Sequence, residues 1–127
     1  MEEKIIFIVD DDKVIQHFLE YSLVGRDGYN VKVFSKAEDC INNLDKNPDC
    51  IILDHFYIGK EEPLMTGLEA LAKIRDINKS VPIIVLSSNN DNNLISSYIS
   101  NGATSYILKE GYFINNLWDT FDKLIHN

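Results

Sequence analysis

Ile5-Ile6-Phe7-Ile8-Val9-Asp10-Asp11-Asp12 is a β-branched apolar run that stops abruptly on three carboxylates. The run is continuously apolar rather than alternating, as expected of a central strand covered on both faces. Ile51–Leu53 and Ile83–Leu86 have the same character, whereas Asn30-Val31-Lys32-Val33-Phe34 alternates and reads as an edge strand. Ser105–Leu108 is the fifth run. Between the strands lie stretches of helical period: Val14, Ile15, Phe18, Leu19 and Leu23; Ala37, Cys40, Ile41 and Leu44; Leu68, Leu71 and Ile74; Leu94, Ile95, Tyr98 and Ile99; Phe113, Leu117, Phe121 and Leu124. Asp27-Gly28, Asn47-Pro48, Val81-Pro82 and Asn101-Gly102 punctuate the strand starts. Five strands alternating with five helices predict βαβ units and a parallel sheet, and the chain (residues 1–127) reads as one domain.

Composition limits the function classes. At 127 residues, with 45% hydrophobic and 25% charged residues, the chain has the balance of a water-soluble globular domain. A formal charge of −8 argues against direct nucleic-acid binding, which needs clustered Lys and Arg. Apolar runs such as Ile5–Val9 fall far short of the roughly 18 residues of a membrane span. The charged start Met1-Glu2-Glu3-Lys4 feeds straight into a strand and does not read as a secretory signal, so a cytoplasmic location is expected. Cys40 and Cys50, each beside an isoleucine, read as reduced core residues.

Ligands of open parallel sheets bind at the carboxyl ends of the strands. After strand 1 come Asp10, Asp11 and Asp12; after strand 3, Asp54; after strand 4, Ser87 and Ser88; strand 5 ends on Lys109. Taken singly these have bland explanations: Asp12 is expected to be a helix N-cap, the serines suit a turn and the lysine a solvated surface. Together, gathered on one sheet edge, they make a coherent site. Several carboxylates repel one another and call for a hard divalent cation, and Mg²⁺ favours carboxylates, water and a phosphate oxygen. A carboxylate can act as nucleophile to form an aspartyl phosphate, while a hydroxyl and an ammonium stabilise the transferring group.

The chain resembles the receiver domain of two-component response regulators. The likeness rests on Ile8-Val9-Asp10-Asp11-Asp12, Ile52-Leu53-Asp54, Thr66-Gly67-Leu68-Glu69-Ala70-Leu71, Pro82 to Ser88 and Gly102 to Lys109. It implies a three-layer, doubly wound, flavodoxin-like sheet of strand order 2-1-3-4-5 with five helices. It also implies that Asp54 is the phosphoacceptor and that Mg²⁺ is held at Asp54, by Asp11 directly, by Asp10 through water, and by the backbone carbonyl of Phe56. Ser87 would be the switch hydroxyl, Lys109 the phosphate-binding ammonium and Tyr106 the aromatic switch residue. The implied partner is a sensor histidine kinase or a histidine phosphotransfer protein docking against helix 1, with a downstream effector beyond. Phosphorylation would shift the face formed by helix 4, strand 5 and helix 5, and phosphorylation-dependent homodimers are common in that family. Tyr98, Tyr106, Tyr112 and Trp118 fall in or near this face, with core packing expected of Tyr98 and Trp118. Such a protein catalyses only its own phosphorylation and dephosphorylation.

Two features depart from the family pattern. Glu110 follows the lysine where a proline in a cis bond is usual, and a non-proline cis bond costs about 3–4 kcal/mol, so a trans Lys109–Glu110 bond or a reshaped loop is expected. Gly67 also comes later after Asp54 than the family's glycine does, which makes 55–65 a longer loop, with an insertion without function the simplest expectation. His55, next to Asp54, is expected to be a packed or solvated histidine. Two other classes compete. A haloacid-dehalogenase-type phosphatase would use Asp10 and Asp12 as its Asp-x-Asp, but the chain beyond Lys109 lacks a suitable acidic pair. A pseudo-receiver would keep the fold and signal without phosphate. A flavin site is excluded by the acidic loop after strand 1, where phosphate-binding amides would be needed.

Overall fold

The computed structural model describes residues 3–26, 28–54, 66–111 and 113–125. The elements run β1 (Lys4–Val9), α1 (Lys13–Val24), β2 (Tyr29–Phe34), α2 (Ala37–Ile41), β3 (Cys50–Asp54), α3 (Gly67–Ile77), β4 (Ile83–Ser87), α4 (Asn92–Ser100), β5 (Ser105–Leu108) and α5 (Phe113–Ile125). All five strands are parallel, in the order β2-β1-β3-β4-β5. β3 and β4 are buried at every position, and β2 alternates in burial because it is an edge.

The sheet has a core on each face. Phe7, Val9, Ile51, Leu53, Ile83 and Val85 meet Cys40 of α2, Leu71 and Ile74 of α3 and Tyr98 of α4. Ile6, Ile8, Ile52, Ile84 and Leu86 meet Leu19 and Leu23 of α1 and Leu117 and Phe121 of α5. Cys40 and Cys50 therefore lie in different cores, both as free thiols. Tyr98 is buried, as expected, and Trp118 packs edge-on to Phe121 at 5.5 Å beneath the Arg26 guanidinium.

Local signals start the helices. The Asp12 carboxylate caps α1 by accepting from the Val14 N–H at 2.9 Å. Thr66 and Glu69 form a reciprocal capping box on α3, and Asp91 caps α4. The α4–β5 turn needs glycine: Gly102 has φ +111°, and an added Cβ would stand 2.9 Å from the Arg75 side chain, whose Nε–H donates to the Gly102 carbonyl.

Two elements differ from expectation. The second helix stops at Ile41, and Leu44 enters the core from a separate 3₁₀ turn, Leu44–Lys46. Asn42 and Asn43 part the two, with the Asn43 side chain donating to the Asp39 carbonyl and ending the ladder. In α1 the apolar residues form two stripes. Leu19 and Leu23 face the core, but Val14, Phe18, Tyr21 and Val24 are exposed, Tyr21 by 83%. Among the described residues no helix is long and apolar enough to cross a membrane.

Candidate functional site

Parallel register delivers the site. Val9 pairs with Leu53, so Asp10 and Asp54 end adjacent strands side by side. Asp54 pairs with Leu86 and Ser87 with Leu108, which sets Ser87 and Lys109 on the next two strands at the same edge. A carboxylate oxygen from each of Asp10, Asp11 and Asp54 can be chosen so that all lie within 4.8 Å of one another. The Lys109 ammonium donates to Asp54 Oδ1 and stands 3.9 Å from Asp10 Oδ2.

Asp10 is the most constrained of the three. Its side chain is only 1% exposed, Oδ1 accepts the Asp12 N–H at 2.8 Å, and the buried Oδ2 has no hydrogen-bond partner among the described residues. Burial first, and the Asp54 charge second, push its carboxyl up to about 7, against the opposing pull of the Asp12 N–H and Lys109. A buried carboxylate oxygen with no donor, beside two further carboxylates, is the environment a hard cation relieves, and the all-oxygen donor set suits Mg²⁺. Asp12 turns away to cap α1 and contributes its N–H, not its carboxylate.

On the other wall, Ser87 is buried and its Oγ accepts the Asn89 N–H at 3.0 Å, which leaves the hydroxyl proton able to donate elsewhere. Tyr106 is half-buried against the α3–α4 core, 5.5 Å from Tyr98, and its hydroxyl donates to the Asn89 carbonyl at 2.7 Å. Both backbone groups of Asn89 are thus tied, one to Ser87 and one to Tyr106. Sequence reasoning passed over Asn89 because only its backbone takes part. Glu110 is exposed, and no peptide bond among the described residues is cis, so Lys109–Glu110 is trans, as expected of a non-proline. The Lys109 N–H donates to the Ser87 carbonyl at 2.8 Å, and its ammonium still reaches Asp54. Phe56, His55, the rest of 55–65 and Tyr112 lie outside the described residues.

A doubly wound sheet with three acids and a lysine at its switch edge defines a class, and the comparisons agree with it. The family model for the response regulator receiver domain matches residues 6–115, and the chain belongs to that family. It is 33% identical over 109 residues to response regulator protein TmoT of Ectopseudomonas mendocina, covering 85% of this chain and 47% of that protein. It is 30% identical to two-component response regulator ORR27 of rice (Oryza sativa subsp. japonica), covering 82% of this chain and 16% of that protein. The chain thus spans less than half the length of these curated relatives. In fold it is similar to the Vibrio cholerae chemotaxis protein CheY4, with a TM-score of 0.81 and 23% identity over 96% of this chain and 98% of that one. A CheY-like receiver domain protein of Methanospirillum hungatei gives 0.75 and 23% identity over 97% and 94%. Receiver domains are signalling switches of two-component systems, and response regulators interact with histidine kinases and with downstream effectors.

Proposed function

We propose that this chain, residues 1–127 as one receiver domain, is a cytoplasmic phosphoacceptor switch in which Asp54 takes a phosphoryl group with the help of Mg²⁺. The observation that carries this is the meeting of three carboxylates from two strand ends with the Lys109 ammonium. Asp10, Asp11 and Asp54 would hold the ion, with the Phe56 carbonyl as a further ligand. When bound, it neutralises the carboxylates and the negative charge gathering on the transferring group. A carboxylate oxygen of Asp54 attacks phosphorus; the new P–O bond forms as the P–N bond of a phosphohistidine breaks, and the imidazole leaves with that electron pair. Lys109, already on Asp54, moves its hydrogen bond to a phosphoryl oxygen.

Ser87 donates its hydroxyl proton to another phosphoryl oxygen. Because its Oγ holds the Asn89 N–H and Tyr106 holds the Asn89 carbonyl, a pull on Ser87 reaches Tyr106 through one residue. Phosphate then favours whichever arrangement of this loop makes those contacts, and the α4–β5–α5 face changes with it. That face carries a depression lined by Ile95, Tyr106, Leu108 and Asn116, suited to an effector or to a second phosphorylated copy. The exposed row Val14, Phe18 and Tyr21 starts beside the acid loop and suits docking of a sensor histidine kinase or histidine phosphotransfer protein. The domain would act on no substrate beyond its own phosphoryl group, nor bind nucleic acid or membrane directly.

Intact mass after incubation with acetyl phosphate tests the reading. A phosphoryl adduct that requires Mg²⁺ and is lost in Asp54→Asn is expected. A parent that stays unmodified with Mg²⁺ present would support the pseudo-receiver instead.

A further inference from the structure

The core-facing stripe of α1 contains one residue that does not belong to an apolar core. Gln16, Leu19 and Leu23 are its buried members, and Gln16 is only 6% exposed. A buried primary amide is costly unless its hydrogens are used, and a leucine or methionine would serve packing better. Both hydrogens are used. Gln16 Nε2 donates to the backbone carbonyl of Asp10 and, at 3.0 Å, to Ser35 Oγ. Ser35 directly follows β2, and the last residue of that strand, Phe34, accepts the Asp10 N–H at 3.0 Å. The Lys13 ammonium donates to the same Ser35 hydroxyl at 3.3 Å.

Asp10 is thereby held at three points. Its N–H is tied to β2, its carbonyl to α1 and its Oδ1 to the Asp12 N–H, and only the buried Oδ2 is left over, 3.9 Å from the Lys109 ammonium that also reaches Asp54. The carbonyl belongs to the Asp10–Asp11 peptide, so the Gln16 bond sets the plane of that peptide and with it the direction in which Asp11 leaves. Without an ion the carboxylates repel one another and tend to splay the loop. A tie on the peptide between two of them opposes that.

Resting on the metal reading above, we infer that Gln16, braced by Ser35, is a positioning residue for cation binding: its buried amide holds the Asp10–Asp11 peptide so that the two carboxylates stay in place to share an ion. It touches neither ion nor phosphoryl group and acts through Asp10. Groups that orient metal ligands in this way commonly change affinity by about 10–100-fold when removed.

The test measures Mg²⁺ affinity from the rise in each protein's own unfolding free energy as MgCl₂ is added, so that a loss of packing common to both states cancels. Gln16→Met keeps the side chain's length and removes both donors; Ser35→Ala removes one acceptor; Leu23→Val trims the same helical stripe without touching the network. Gln16→Met is expected to weaken Mg²⁺ by about 10-fold or more. Ser35→Ala should weaken it by a smaller factor, while Leu23→Val lowers metal-free stability and leaves the affinity unchanged. A Gln16→Met affinity within a factor of about two of the parent overturns the inference while leaving the metal site intact. Should Gln16→Met fail to fold, Ser35→Ala decides, and an unchanged affinity there overturns it. A parent with no Mg²⁺ response overturns the metal reading itself, and this inference with it.

Discussion

Replacing Asp10 by asparagine should stabilise the metal-free protein, and only at neutral and alkaline pH. The folded carboxyl sits at about 7 against an ordinary value of 3.8, because its surroundings exclude water and Asp54 lies beside it. Between about pH 4 and 7 the folded state thus binds a proton that the unfolded state releases. Stability falls as pH rises through that window, and the deficit is complete above the folded value. Three pH units at 1.36 kcal/mol each set its size at about 4 kcal/mol. The asparagine amide escapes this cost and can donate toward the neighbouring carboxylates, so a gain of about 2–4 kcal/mol is expected at pH 8 in EDTA. At a urea slope of about 2 kcal/mol/M that moves the unfolding midpoint upward by about 1–2 M. At pH 4 the two proteins should nearly coincide. With Mg²⁺ the gap at pH 8 should narrow, because the parent regains stability by binding the ion. A variant no more stable than the parent at pH 8, or a gain independent of pH, would refute the assignment of Asp10 as a strained, desolvated charge.

Other outcomes follow from single contacts. Lys109→Ala removes the ammonium on Asp54, and phosphorylation by acetyl phosphate, followed by intact mass against time, should slow by about 10²-fold or more. Cys40 and Cys50 have thiols pushed up to about 12 by burial, so neither should react with Ellman's reagent in the native protein and both should react in urea. Gly102→Ala forces a side chain into φ +111° against Arg75 and should cost more than about 1 kcal/mol in urea unfolding.

The sheet and the site were legible because both are written at strand ends. β1, β3 and β4 are covered on two faces and so carry the unbroken apolar runs Ile5–Val9, Cys50–Leu53 and Ile83–Leu86, which separates them from the alternating edge β2. Parallel register then brings Asp10, Asp54, Ser87 and Lys109 to one edge whatever the loops do. What hydropathy could not give was the use of each apolar residue. In α1 it marks Val14 and Phe18 as strongly as Leu19 and Leu23, though one pair faces solvent and the other the core. The early end of α2 depends on the Asn43 side chain competing for a backbone carbonyl, an interaction with no periodicity to betray it. Gln16 carried a signal that could have been used: a polar amide in register with Leu19 and Leu23, one turn from three carboxylates, needs partners that a buried stripe rarely supplies. The Asn89 link had none, since backbone groups serve any residue.

The phosphoacceptor assignment is tested most directly by trapping. The protein is incubated with acetyl phosphate and Mg²⁺, treated with borohydride, which reduces an acyl phosphate to the alcohol, and mapped by peptide mass spectrometry. Conversion of Asp54 to homoserine, with Asp10 and Asp11 unchanged, is the expected result. Homoserine at Asp10 or Asp11 in place of Asp54, or a phosphoryl adduct that yields no homoserine, would contradict it.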